Sequence, residues 1–69
     1  MFLVVELQRN DDTLGNVTFS YSGINEAKAK YHTILSVAAV SNVQRHGAVI
    51  LDDTGMMLCH EWFDHEGDE

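Results

Sequence analysis

The sequence predicts an α+β domain of ββαββ order: a four-stranded antiparallel sheet, order 2-1-3-4, with one helix packed on one face. Three observations predict it. One stretch, about residues 25–42 (NEAKAKYHTILSVAAVSN), keeps helical periodicity without a breaker. Short segments of alternating hydrophobicity flank it on both sides. Two clusters of turn formers, residues 10–15 and 52–55, divide each flank into a pair of strands.

Residues 2–9 alternate, with Leu3, Val5 and Leu7 facing one way and Phe2, Val4, Glu6 and Gln8 the other. Their apolar first half suits a central strand partly covered on both faces. Residues 16–21 put Val17, Phe19 and Tyr21 inside and Asn16, Thr18 and Ser20 outside, the pattern of a one-sided antiparallel strand. At about 100° per residue, Ile24, Ala27, Tyr31, Ile34, Leu35 and Ala38 form the stripe that lies on the sheet. Asn25 or Ser22 caps the helix N-terminus, and eighteen residues span roughly 27 Å. Residues 46–51 form the third strand and 56–63 the fourth, with Gly55 at the hairpin position that needs positive φ. Residues 64–69 read as an acidic, frayed tail. A crossover of the helix over the first strand gives the order 2-1-3-4. The uncovered sheet face is then expected to show Phe2 and Val4, with Ala48 and Ile50 or their alternates beside them.

The 69 residues allow a single domain. No apolar run is long enough to span a bilayer, and the start MFLVVELQR lacks a basic region and a cleavage-like site, so a membrane or secretory role is not expected. One cysteine, Cys59, excludes an intramolecular disulfide and fits a reducing cytoplasm. Eleven Asp and Glu against four Lys and Arg give a net charge of −7, which disfavours direct binding to nucleic acid or anionic membranes and suits a basic protein partner.

No catalytic or metal pattern is present. Cys59, His60, Glu61, Asp64 and His65 crowd together in sequence, but on a strand Cys59 and His60 point to opposite faces, so neither a metal nor another cofactor is expected. There is no nucleophile elbow and no phosphate loop. A non-enzyme is expected. The helix carries a second apolar surface at Thr33, Val37 and Val40, and no charge between Lys30 and Arg45. A chain this short buries only about 60% of its unfolded surface, so that face predicts a homodimer or higher oligomer. A symmetric dimer doubles the cationic and aromatic groups near a shared cleft, which makes Arg45, His46, Tyr31, His32 and Trp62 the candidate residues for a small anionic ligand.

The stretch NEAKAKYHTILSVAAVSNV, then HGAVILDDTG after two residues, with VVELQ near the start, resembles small uncharacterised proteins encoded by phages and prophages of Gram-positive gut bacteria. The resemblance covers most of the chain and implies an accessory protein acting in the host cytoplasm. Two roles fit that setting. One is an anti-defence module that sequesters a host immune nucleotide signal at subunit clefts. The other is an acidic inhibitor, a nucleic-acid mimic, docking on a basic host defence protein; a phage assembly factor is a further alternative.

Overall fold

The computed structural model describes residues 1–65. Five elements follow in order: β1 (Phe2–Asn10), β2 (Thr13–Tyr21), α1 (Ile24–Ala38), β3 (Arg45–Asp52) and β4 (Met57–Asp64). The four strands form one antiparallel sheet in the order β2-β1-β3-β4, and the helix packs on one face of it, chiefly over β3 and β1. The most apolar strand therefore lies inside the sheet.

The first hairpin is tighter than the turn cluster suggests. Asn10 pairs with Thr13, which leaves Asp11 and Asp12 as a two-residue loop, with Asp11 in the left-handed region at φ +54°. Asp tolerates that conformation because its short side chain bonds locally. Gln44 holds the loop from across the sheet end. Its side-chain oxygen accepts the Asp11 N–H at 2.7 Å, its amide nitrogen donates to Asp11 Oδ1 at 3.2 Å, and its own backbone N–H donates to Asn10 Oδ1 at 3.1 Å. The second hairpin turns at Gly55, at φ +89° as expected, and Asp52 Oδ1 accepts from the Thr54 N–H, the Thr54 hydroxyl and the Met56 N–H.

The helix buries Ala27, Tyr31, Ile34 and Ala38, with Ile24 and Leu35 at the margin, so the expected stripe is the one that packs. Its ends differ from expectation. The N-cap is Gly23, with no side-chain cap, rather than Asn25 or Ser22. The helix stops at Ala38 instead of running on to residue 42. Val40 and Ser41 donate to the carbonyls of Val37 and Ala38, a tightening of the last turn to i→i−3 spacing. The Ala38 carbonyl also accepts from the Ser41 hydroxyl at 3.3 Å and from His65 Nε2 at 2.9 Å. Side chains thus satisfy the helix end, and the chain turns towards β3.

On β1 the covered face is the opposite of the one expected, and on β3 it is the Ala48–Ile50 side that is covered. Val4 and Ile50 are fully buried under the helix, with Ala48 beside them and Phe2, Phe19, Tyr21 and Cys59 packed around the cluster. Leu3, Val5 and Leu7 lie on the other side. Both sets alternate equally well along β1, so periodicity alone does not choose between them. Ala48 lies in one cluster with Val4, Ile50 and the Ala27–Tyr31–Ile34 stripe, and this packing of the helix on both central strands marks the covered face. β4 also continues through Asp64, whose carboxylate meets Arg45 at 3.1 Å, and the His65 N–H donates to the Gln44 carbonyl at 2.6 Å. The expected frayed tail therefore does not include residues 64 and 65; residues 66–69 lie outside the described residues.

Candidate functional site

Strand register sets out the uncovered face as four rows across β4, β3, β1 and β2. They are Asp64–Arg45–Arg9–Leu14, Trp62–Gly47–Leu7–Asn16, His60–Val49–Val5–Thr18 and Met57–Leu51–Leu3–Ser20. Among the described residues no element covers this face. Its polar β2 margin of Asn16, Thr18 and Ser20 borders an apolar field on the other three strands. Leu14, Met57 and Trp62 are each more than half exposed. A register shift between Ile50 and Leu51 inserts an extra residue into β4 and brings Met57 opposite Leu51. Two of the chain's four Lys and Arg, Arg9 and Arg45, stand in the first row, and Asp64 is the one acidic side chain in the four rows.

Within this face lies an open groove of about 550 Å³, bounded by Leu7, Leu14, Arg45, Val49, His60 and Trp62. Gly47 forms part of its floor. A Cβ there would come within 2.7 Å of Trp62 Cβ and 2.5 Å of the Glu61 carbonyl oxygen, so the glycine is what lets Trp62 cross β3 at close range. The Trp62 indole and the His60 imidazole are near-parallel, 12° apart with centroids 6.0 Å apart, because residues two apart on a strand share a face. The groove therefore combines an apolar floor, two aromatic faces and a guanidinium at one end.

Only Arg45 and Trp62 of the ligand candidates reach this groove. Tyr31 is buried in the core, where loss of solvent, and then the nearby Cys59 and Glu61, raise its phenol above the ordinary tyrosine value. His32 is exposed on the helix, edge-on to Tyr31. His46 is 3% exposed on the covered side of β3. Its Nε2 lies 2.6 Å from Glu6 Oε2 and its Nδ1 3.0 Å from the Ser41 hydroxyl; Gln8 Nε2 donates to the same Glu6 oxygen at 3.2 Å. A carboxylate accepts, so Nε2 carries the hydrogen and Nδ1 is an acceptor, which shares the one Ser41 hydroxyl proton with the Ala38 carbonyl. This network ties β1, β3 and the helix exit together. The five candidates are thus split between the two sides of the sheet, and His60, which sequence reading set aside as part of a false metal cluster, joins Trp62 instead.

The expected subunit contact is also changed in weight. Thr33 is exposed but its hydroxyl donates to the Ala29 carbonyl at 3.0 Å, and Ser36 donates to the Thr33 carbonyl at 2.9 Å. Val37 is 54% exposed on the helix, while Val40 lies beyond its end and is 84% exposed. The outer helix surface is therefore a narrow apolar strip, much smaller than the uncovered sheet face. Among the described residues no group of three or more His, Cys, Asp and Glu could hold a metal ion, and no helix is long and apolar enough to cross a membrane. Compared with protein-family models, with curated proteins and with solved structures, the chain shows no match.

Proposed function

We propose that this protein is a non-enzymatic, self-associating binding module, and that the second copy packs on the uncovered sheet face rather than on the helix. The observation that carries this reading is the apolar field Leu3, Val5, Val49, Leu51 and Met57 on a sheet with a helix on its other side. Two sheets pack face to face at about 10 Å with interdigitating side chains, and full burial of a side chain such as Met57 contributes about 1.5–3 kcal/mol. A two-fold contact supplies such a partner with no other component. The phage accessory role implied by the resemblance belongs to the same proposal. A module that holds a small host immune signal out of circulation needs a groove and a stable scaffold, and no catalytic group.

The test is native mass spectrometry over a concentration series, with Met57→Lys and Val37→Glu as variants and circular dichroism to verify folding. The expected result is a wild-type dimer, a monomeric Met57→Lys and an unchanged Val37→Glu. A wild type that stays monomeric at every concentration overturns self-association. Loss of the dimer in Val37→Glu alone returns the interface to Thr33 and Val37.

A further inference from the structure

The Arg45–Trp62 end of the uncovered face has a chemistry that the apolar rows beside it do not share. We propose that it binds a small planar aromatic anion of nucleoside-monophosphate size, the ring stacked against the Trp62–His60 pair and the anion on the Arg45 guanidinium. The inference rests on the reading of this face as the interaction surface, and needs no second copy.

Size, shape and charge each support it. Small-molecule sites occupy about 300–1,000 Å³, and this groove measures about 550 Å³. Trp62 stands opposite Gly47, two residues along β3 from Arg45, so the stacking and anionic positions lie roughly 7 Å apart on one face. That spacing suits a base and its 5′-phosphate. The indole and imidazole planes are already aligned to within 12° of each other, so a flat ring meets ordered π-surface. Gly47 lines the same groove and, having no side chain, lets Trp62 stand close against β3 and hold its place beside the groove.

Arg45 is bonded to Asp64 at 3.1 Å, with both side chains more than 40% exposed. An exposed pair of this kind is worth little and exchanges readily. A phosphate offers the guanidinium a bidentate, doubly charged acceptor, so it displaces the carboxylate with a net gain. Asp64 thus acts as a competitor for the anion position. The net charge of −7 opposes any anion at long range, but two of the four Lys and Arg are collected on this face. At physiological salt the repulsion fades over about 8 Å, whereas contact with Arg45 is short-ranged.

Trp62 is the chain's one tryptophan, so its emission reports the site directly. The experiment titrates AMP into the full chain, with adenosine and inorganic phosphate as separate arms, and follows tryptophan fluorescence excited at its red edge. Saturable quenching by AMP is expected, with adenosine about tenfold weaker or more and phosphate producing no quenching. Arg45→Gln should weaken AMP about tenfold, His60→Ala should weaken it several-fold, and Asp64→Asn should tighten it roughly two- to fivefold. The absence of saturable quenching, adenosine binding as tightly as AMP, or an Arg45→Gln variant with wild-type affinity would each overturn the proposal. Native masses of the same samples separate the two readings. A monomer that binds AMP removes the second copy and leaves the groove, while a dimer blind to AMP does the reverse.

Discussion

Gly47 and Trp62 face one another across β3 and β4 so closely that a Cβ at position 47 would lie 2.7 Å from Trp62 Cβ and 2.9 Å from its Cα. Both contacts are to atoms near or in the backbone, so neither can swing aside. Gly47→Ala therefore has to push β4 away from β3 and should cost about 1–3 kcal/mol, the range of overpacking in a filled site. Urea unfolding measures this, and a shift in Trp62 emission of the folded variant should accompany it. An unchanged midpoint and spectrum would mean that the sheet yields at no cost and that the glycine is not what admits Trp62.

Glu6 and His46 make the second prediction. Each is the other's closest polar partner; removing Glu6 strands the Nε2–H of His46, which is 3% exposed, and removing His46 leaves the partly exposed Glu6 with Gln8 as its remaining donor. Glu6→Leu and His46→Phe should each destabilise by about 1–3 kcal/mol. The double variant replaces the pair by apolar groups and should lose less than the sum of the two, with a coupling of roughly 0.5–3 kcal/mol. Strictly additive losses in a double-mutant cycle would show that the 2.6 Å contact contributes no pairwise stability.

The elements and the two hairpins were legible in the sequence because each depended on a local signal, and the crossover of the helix over β1 then set the sheet order. Gly55 marked its hairpin through the φ that only glycine takes easily, and the stripe Ala27–Tyr31–Ile34–Ala38 marked the packed side of the helix. The covered side of the sheet was not legible. Leu3, Val5 and Leu7 alternate with Phe2 and Val4, both sets are apolar, and the choice between them lies in the packing of the helix stripe on Val4, Ala48 and Ile50, contacts between residues distant in sequence. The same reversal explains the site. Trp62 and Arg45 could be picked by residue type, but the partition that places His46 with Glu6 below the sheet and His60 with Trp62 above it follows from register. The helix end is not legible because no glycine or proline marks it; Ser41 and His65 close it through side-chain bonds to the Ala38 carbonyl.

Gln44 fastens the β1–β2 loop through two side-chain hydrogen bonds to Asp11, one of them to a backbone N–H. Gln44→Ala removes both and should cost about 1–2 kcal/mol, since an exposed site recovers much of each bond from water. Its clearer signature is local. The Asp11 amide should lose its protection from hydrogen exchange while amides in the centre of β1 keep theirs. Protection at Asp11 that survives the substitution would show that the loop holds its shape by strand pairing alone.

Asp52 gives the pH dependence. Its carboxyl is held below the ordinary carboxylate value first by the Thr54 hydroxyl, then by the N–H groups of Met56 and Thr54, while the slight loss of solvent works the other way. A carboxylate depressed in the folded state stabilises above its unfolded pKa, near 3.9, and that contribution disappears as pH falls through the lower folded value. Asp52→Asn keeps an acceptor oxygen but never carries the charge. At neutral pH the variant should melt below the wild type. As pH falls from about 5 through 4 and below, the gap should close, because the protonated wild type has lost the same charge-assisted bonds. Other carboxylates titrate in both proteins, so the difference between their melting temperatures isolates Asp52. A gap that stays constant from neutral pH down to the acid limit would show that the turn is held by geometry at Gly55 and not by the charge on Asp52.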